Sequence, residues 1–417
     1  MMMRKSPSPH PWLKTLRTTA FVLSLALLTA ACSDSDDDNS SPDNGQNGQN
    51  GQNGQSVPTS TEVAVVATAA DDFTSGAFAV ITTEAPFTAE QNLLPTVSDI
   101  TVASYGEHYY TIERLNRDSI AKVKASAPDE VIWQYSVLDD GEGGSANPHA
   151  MIFVDETKAY VLRYGKPVAW IVNPSATSAA EFKIGEIDLS AYSTDRDLPS
   201  MTSGIIVDGK LYVLMQRLDA SFTPLTAYVA VIDTATDTEI NTGTSAEFNG
   251  IELPVENPSV IQTDGEGTLY VQGFGHFTPV YSGGVATIDT DTYATELLVD
   301  DGDDTNHPYG QFSGMQIVSA ERGYLIGYNG FRDNHLLAFN PMTGVIEDGF
   351  VADLQGRNVT TLSMDSQQRV WVGVGAFEAE SAKLMVLNPA DNSQVGESVL
   401  LDFNPLRVTF PRVNEEQ

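Results

Sequence analysis

Arg114, Arg163, Arg217 and Arg332 each close a short β-branched and aromatic run: HYYTIER, AYVLR, LYVLMQR and GYLIGYNGFR. A guanidinium pairs bidentately with a carboxylate and stacks on planar rings. Four of them, delivered by similar segments from distant parts of the chain, suit a site for a small anionic ligand or an anionic metal chelate. His149, His276 and Tyr164 fall in or beside segments of the same kind and complete the candidate ligand-binding set. Arg117, Lys166, Arg196, Arg357 and His307 flank them, with Phe222, Phe277, Tyr281, Tyr309 and Phe331 interleaved. A plainer reading stands beside this one. Each arginine can pair with a local acid, as Arg117 with Asp118 or Arg332 with Asp333. The residues alone leave both open.

Other chemistries are less well supported. His149 and Met151 alternate along a strand-like run, so they face one side; with His276 or His307 they would make a soft site suited to copper. The acidic runs DDGEGG (139–144) and DDGDD (300–304) have calcium-ligand residue types, but neither follows the spacing of a calcium loop, so solvated turns are expected. The sequence names no metal or cofactor. It has no G-x-S-x-G and no H-E-x-x-H, and GQFSG at 310–314 has the wrong spacing for a nucleophile elbow. An enzyme of the hydrolase, lyase or quinoprotein kind, or an interaction scaffold, remains the alternative, because residues converging from separate segments leave no linear motif.

Charge narrows the partners. The chain of 417 residues carries 56 Asp and Glu against 22 Lys and Arg. Residues 1–31 hold four of the bases and none of the acids, so the remainder has 18 bases and a formal charge of −38. Nucleic acid is disfavoured, because phosphate contacts need basic surface. Self-repulsion favours a soluble monomer.

The elements that must position these residues repeat. NPHAMIFVDETKAYVLRYGKPVAWIVNP (147–174) reads as three short strands broken by turn residues. Its second strand recurs around Tyr110, Tyr160, Tyr212, Tyr270, Tyr324 and Trp371. First strands precede these at 100–103, 150–154, 202–207, 259–263, 315–318 and 360–364. Third strands follow, usually ending in an Asx turn such as Ile232-Asp233-Thr234 or Leu387-Asn388-Pro389. A seventh unit at 63–84 lacks a first strand, and Asn404-Pro405-Leu406 opens a spare one at the C-terminus. The expectation is an all-β, seven-bladed β-propeller over residues 61–417, its ring closed by the C-terminal strand joining the N-terminal blade. In that fold the second-to-third connections and the entries to first strands share one face, so the candidate residues gather at one mouth.

The first 60 residues are of another kind. Arg4, Lys5, Lys14 and Arg17 precede a short apolar run, then Thr29-Ala30-Ala31-Cys32. This resembles a bacterial lipoprotein signal, with Thr29 where Leu is common. The resemblance implies cleavage after residue 31, acylation of Cys32 and a membrane anchor. Ser33 after the cysteine implies the outer membrane, on its periplasmic or outer side. Cys32 is the sole cysteine, which excludes disulfides, thiolate metal sites and c-type haem from the rest of the chain. Residues 32–60 run through SDSDDD into four copies of Asn-Gly-Gln, a polar tether reaching on the order of 30 Å.

VIDTATDTEI and the Asn-Pro-x-Thr-Gly phrase resemble the bacterial YVTN-type propeller repeat. Lipoprotein plus propeller is also similar in architecture to tethered propellers that capture ferric siderophores beside an outer-membrane receptor. That similarity implies a small anionic or metal-chelated ligand and a receptor partner.

Overall fold

The computed structural model describes residues 60–277, 280–351 and 354–414. Cys32 and the tether lie outside the described residues. Seven antiparallel sheets follow one another. Blade 2 holds strands Ile100–Tyr105, His108–Glu113, Ser119–Lys124 and Val131–Ser136. Blades 3 to 7 open on Pro148–Asp155, Met201–Val207, Pro258–Thr263, Gln311–Ser319 and Val359–Met364, and each meanders outward. Blade 1 is composite. Asn404–Thr409 is its innermost strand, followed outward by Ser60–Ala69, Gly76–Thr82 and Ala89–Thr96. Val65 pairs with Thr409 and Val66 with Val408, and Arg412–Asn414 extends the same edge beside Glu62. The innermost strand of each blade lies against those of its two neighbours, and blade 7 lies against blade 1. The chain is therefore a closed seven-bladed β-propeller, as the repeat predicts.

Every blade is buried on both faces, which explains why the strands read as continuous apolar runs rather than alternating ones. Tyr160 and Leu162 face blade 4, whereas Ala159 and Val161 face blade 2. Each of the seven junctions has its own apolar cluster. Trp133, Trp170 and Phe182 dominate the junction of blades 2 and 3; Trp371 dominates that of blades 7 and 1. Toward the axis the contacts become polar. Thr202 Oγ1 donates to the Pro258 carbonyl (3.1 Å) and Thr360 Oγ1 to that of Pro405 (2.6 Å), each reaching the next blade. Ser363 Oγ donates to the Val408 carbonyl (2.9 Å) and the Ile317 N–H to Gln262 Oε1 (2.6 Å). Buried hydroxyls and amides are thus satisfied by neighbouring blades.

The expected Asx turns form at the ends of third strands. Asp233 Oδ1 accepts from the Ala235 and Thr236 N–H groups, Asp289 Oδ1 from those of Asp291 and Thr292, and Asn388 Oδ1 from that of Ala390. The fifth residue of the turn has a second role. Asp237 and Asn392 hold positive φ there and accept the hydroxyl of the preceding blade's anchor tyrosine. Tyr160 reaches Asp237 at 2.5 Å and Tyr324 reaches Asn392 at 2.7 Å. The base that opens the second strand joins in: Lys158 binds Asp237 and Arg322 binds Asn392. In blade 5 that fifth residue is Tyr293, and among the described residues the buried Tyr212 hydroxyl has no partner. Replacing Tyr160 by Phe should therefore cost about 1.5–3 kcal/mol, the worth of a hydrogen bond to a charged group. Tyr212→Phe removes an unpaired hydroxyl and should be neutral or stabilising. Chemical denaturation of the two variants checks the contrast; equal losses would mean that the latch contributes nothing.

Candidate functional site

Six of the seven innermost strands share an irregularity. Their register slips by one residue at the end that follows the inter-blade connection, which leaves His149, Thr202, Ser259, Ser313, Thr360 and Leu406 bulged. Bulges at barrel and propeller rims re-aim side chains. Four of these residues carry hydroxyls, and those of Thr202, Ser259 and Thr360 are spent on hydrogen bonds within the ring. His149 breaks the pattern as the sole ionisable member.

Around it a chain of contacts crosses three blades. Arg114 Nε lies 3.2 Å from Asp99 Oδ1. Arg114 Nη2 lies 3.1 Å from His149 Nε2, and a guanidinium can only donate, so Nε2 accepts and the proton sits on Nδ1. The imidazole stacks on Tyr164 at 4.2 Å, and the Tyr164 hydroxyl donates to Gln216 Oε1 (2.9 Å). Burial, and secondarily the Arg114 charge, hold His149 well below the usual imidazole range, so it is neutral at pH 7. Part of its surface remains accessible, and among the described residues Nδ1 has no partner. Arg114, Tyr164, Gln216, Phe274 and Tyr328 occupy the same place, four residues past the anchor aromatic, in blades 2 to 6. Phe274 and Tyr328 pack together at 5.6 Å. The mouth thus has a polar arc on blades 2 to 4 and an aromatic arc on blades 5 and 6.

Three of the seven candidate residues, Arg114, His149 and Tyr164, therefore come together. The other four do not join them. Arg163 stands one residue before the mouth position, so strand alternation turns it away. It is almost wholly buried, paired with Glu142 and packed 4.5 Å over the Trp170 ring. Arg217 donates to the carbonyls of Tyr192 (3.1 Å) and Thr226 (2.9 Å). His276 lies 3.8 Å from Glu256. Arg332 of blade 6 pairs with Asp71 of blade 1, reaching past blade 7. The face is not basic either. In its connections acids outnumber bases by more than two to one, close to the ratio of the whole chain. Its bases mostly answer acids beside them.

Two further expectations change. The bulge at His149 breaks the alternation with Met151, which lies in the apolar junction of blades 2 and 3. The pair does not share a face, and the soft metal site loses its basis. Among the described residues no three of His, Cys, Asp and Glu gather as a metal site would need. The run at 300–304 is not simply a solvated turn. Asp301 is 1% exposed, and among the described residues neither of its carboxylate oxygens has a hydrogen-bond partner of good geometry, as is also true of Ser282 Oγ. Burial, then the charge of Asp300, raise its carboxyl to about 7; the backbone N–H groups of Gly283 and of Asp301 itself offset part of the shift. Nearby, Tyr281 stacks on His307 at 4.2 Å. Nothing in the sequence distinguishes Asp301 from the acids around it.

The sign of its effect on stability follows from the shift. The folded chain keeps the Asp301 proton to about pH 7, whereas the unfolded chain releases it near pH 4. Stability from this group is full below pH 4 and is lost as pH rises to 7. Asp301→Asn should therefore gain on the parent as pH goes from 4 to 8, measured as the difference in melting temperature. A difference independent of pH would show that Asp301 titrates normally.

No protein-family model matches the chain, and no curated protein matches it. Among solved structures it is similar to apo AztD from Citrobacter koseri, at 10% identity over 86% of this chain and 100% of that one, with a TM-score of 0.46. A streptogramin B lyase matches at 11% identity over 76% and 91%, with a TM-score of 0.49. The β-propeller domain of the trilobed protease from Pyrococcus furiosus matches at 12% identity over 82% and 93%, with a TM-score of 0.45. These similarities are weak, and the fold assignment rests on the seven sheets of this chain and the ring their innermost strands close.

Proposed function

We propose that the chain is an extracytoplasmic binding protein, tethered to the outer membrane through Cys32, that captures a small anionic ligand at the mouth of the ring. The observation that carries this reading is the Arg114–His149–Tyr164 cluster, in which His149 stands at a bulge position with its Nδ1 free among the described residues, held by the mostly buried, Asp99-paired Arg114 and stacked on an aromatic face. Arg114 supplies charge, His149 Nδ1–H a neutral donor, and the partly exposed Tyr164 and Tyr328 rings a surface for a planar body. A carboxylate on a flat scaffold fits this division. The surrounding acids disfavour a ligand of high negative charge, so the small carboxylate is preferred to a multiply charged ferric chelate.

Calorimetry with a panel of aromatic and aliphatic carboxylates and ferric siderophores tests the reading. Charge-assisted hydrogen bonds are worth about 1.5–3 kcal/mol, so Arg114→Gln should weaken binding roughly ten- to a hundredfold. Arg217→Gln, whose guanidinium serves the backbone, should leave affinity unchanged. Unaltered binding by the Arg114 variant, or no binding anywhere in the panel, would sink the assignment. The tether has its own test. Cys32→Ser should move the protein from the membrane fraction to the soluble fraction, and a variant still pelleting with membranes would refute the lipid anchor.

A further inference from the structure

We propose that the face bearing the mouth also docks a basic protein segment through a ring of exposed phenylalanines, a contact separate from the small-ligand site. Five of the second-to-third connections present one such ring each. Phe73, Phe222, Phe277, Phe331 and Phe377, on blades 1, 4, 5, 6 and 7, are 57%, 44%, 45%, 59% and 37% exposed. Leu115 occupies the corresponding place on blade 2. The opposite face has no such series; among the described residues the exposed large apolar side chains of its connections are Met342, Val345 and Phe350, all on blade 6.

The backbone adds a second observation. Phe73 and Phe222 sit at φ of 58° and 62°, where a β-carbon is sterically penalised and Gly or Asn is usual in a solvent turn. Cations steady two of the rings: Arg196 lies 4.4 Å over Phe222 and Arg332 4.8 Å over Phe331. Aromatic groups held outward in a strained turn, without burial to repay it, fit a surface made for contact.

Size and charge choose the occupant. Taking ~200 Å² per phenylalanine, the five rings expose about 500 Å², a large part of the about 800 Å² a stable interface takes from each partner. Rings on blades 1 and 4 are too far around the mouth for one small molecule to touch both. Acids outnumber bases in these connections, so a second copy of this chain or an anionic bilayer is repelled, while a basic partner is attracted. The strand Ser60–Ala69 runs toward this face, so its first residue lies at the opposite one.

The test selects a displayed library of random 16-residue peptides on the immobilised Cys32→Ser chain, otherwise complete. Enriched peptides should combine Lys or Arg with large apolar residues, and their affinity should fall with salt. The chain bearing Phe73→Ser, Phe222→Ser, Phe331→Ser and Phe377→Ser should melt as the parent does, bind the selected peptides at least tenfold more weakly, and keep its affinity for the mouth carboxylate. That last readout separates this proposal from the ligand reading. Acidic or purely polar winners, or winners that bind the quadruple variant equally well, would overturn it. So would sedimentation showing self-association through these residues, or their insertion into phosphatidylglycerol vesicles. If the quadruple variant unfolds, Phe331→Ser and Phe73→Ser alone provide the same comparison.

Discussion

One pairing makes the rest of this molecule a ring: residues 404–409, at the end of the chain, lie against Ser60–Ala69, at the start of its described part. Without that ladder blade 1 has no innermost strand, and blades 1 and 7 lose the junction around Trp371. The pairing joins residues more than three hundred apart, so the chain must order nearly all of itself before this contact forms. What it returns is the absence of any open junction. Each blade can then be apolar on both faces, because each has two neighbours.

The same closure controls the mouth. The bulged residues stand at equivalent places on six blades, and their spacing is set by the circumference that seven blades enclose. Two of them bond across to the next blade and so hold that circumference. Thr202 and Thr360 bond the carbonyl of the blade ahead, a task any blade could share. His149 is the one ionisable residue in the bulged series, and Arg114 is the sole arginine in its series four residues past the anchor. Repetition thus serves as an internal control: what recurs holds the fold, and what departs from it is free to serve function.

The blades were legible because their signals are local. β-branched runs, turn residues and an anchor aromatic every fifty residues or so define the strands without reference to anything distant, and the orphan strand at Asn404 defines the closure. The mouth was legible only in part. Arg114, His149 and Tyr164 stand out in the sequence together with four residues that the structure sends elsewhere. Counting from the anchor aromatic would have separated Arg163 from Tyr164, since adjacent strand residues face opposite ways. The destinations of Arg217 and Arg332 were not open to such reasoning, because they depend on loop conformations and on partners such as Asp71 far away in sequence. Nor does one acid among many announce that it will be buried, as Asp301 is.

The closing pair is best probed by native-state hydrogen exchange, followed for the amides of residues 65–67 and 407–409. If the ring is a single cooperative body, both segments exchange only through global unfolding. Their opening free energies then match those of the central strands of blades 3 and 4 and fall together with added denaturant. Exchange of residues 407–409 through a smaller, denaturant-independent opening would contradict the account. It would mean that the terminal strand rests on a ring that holds without it.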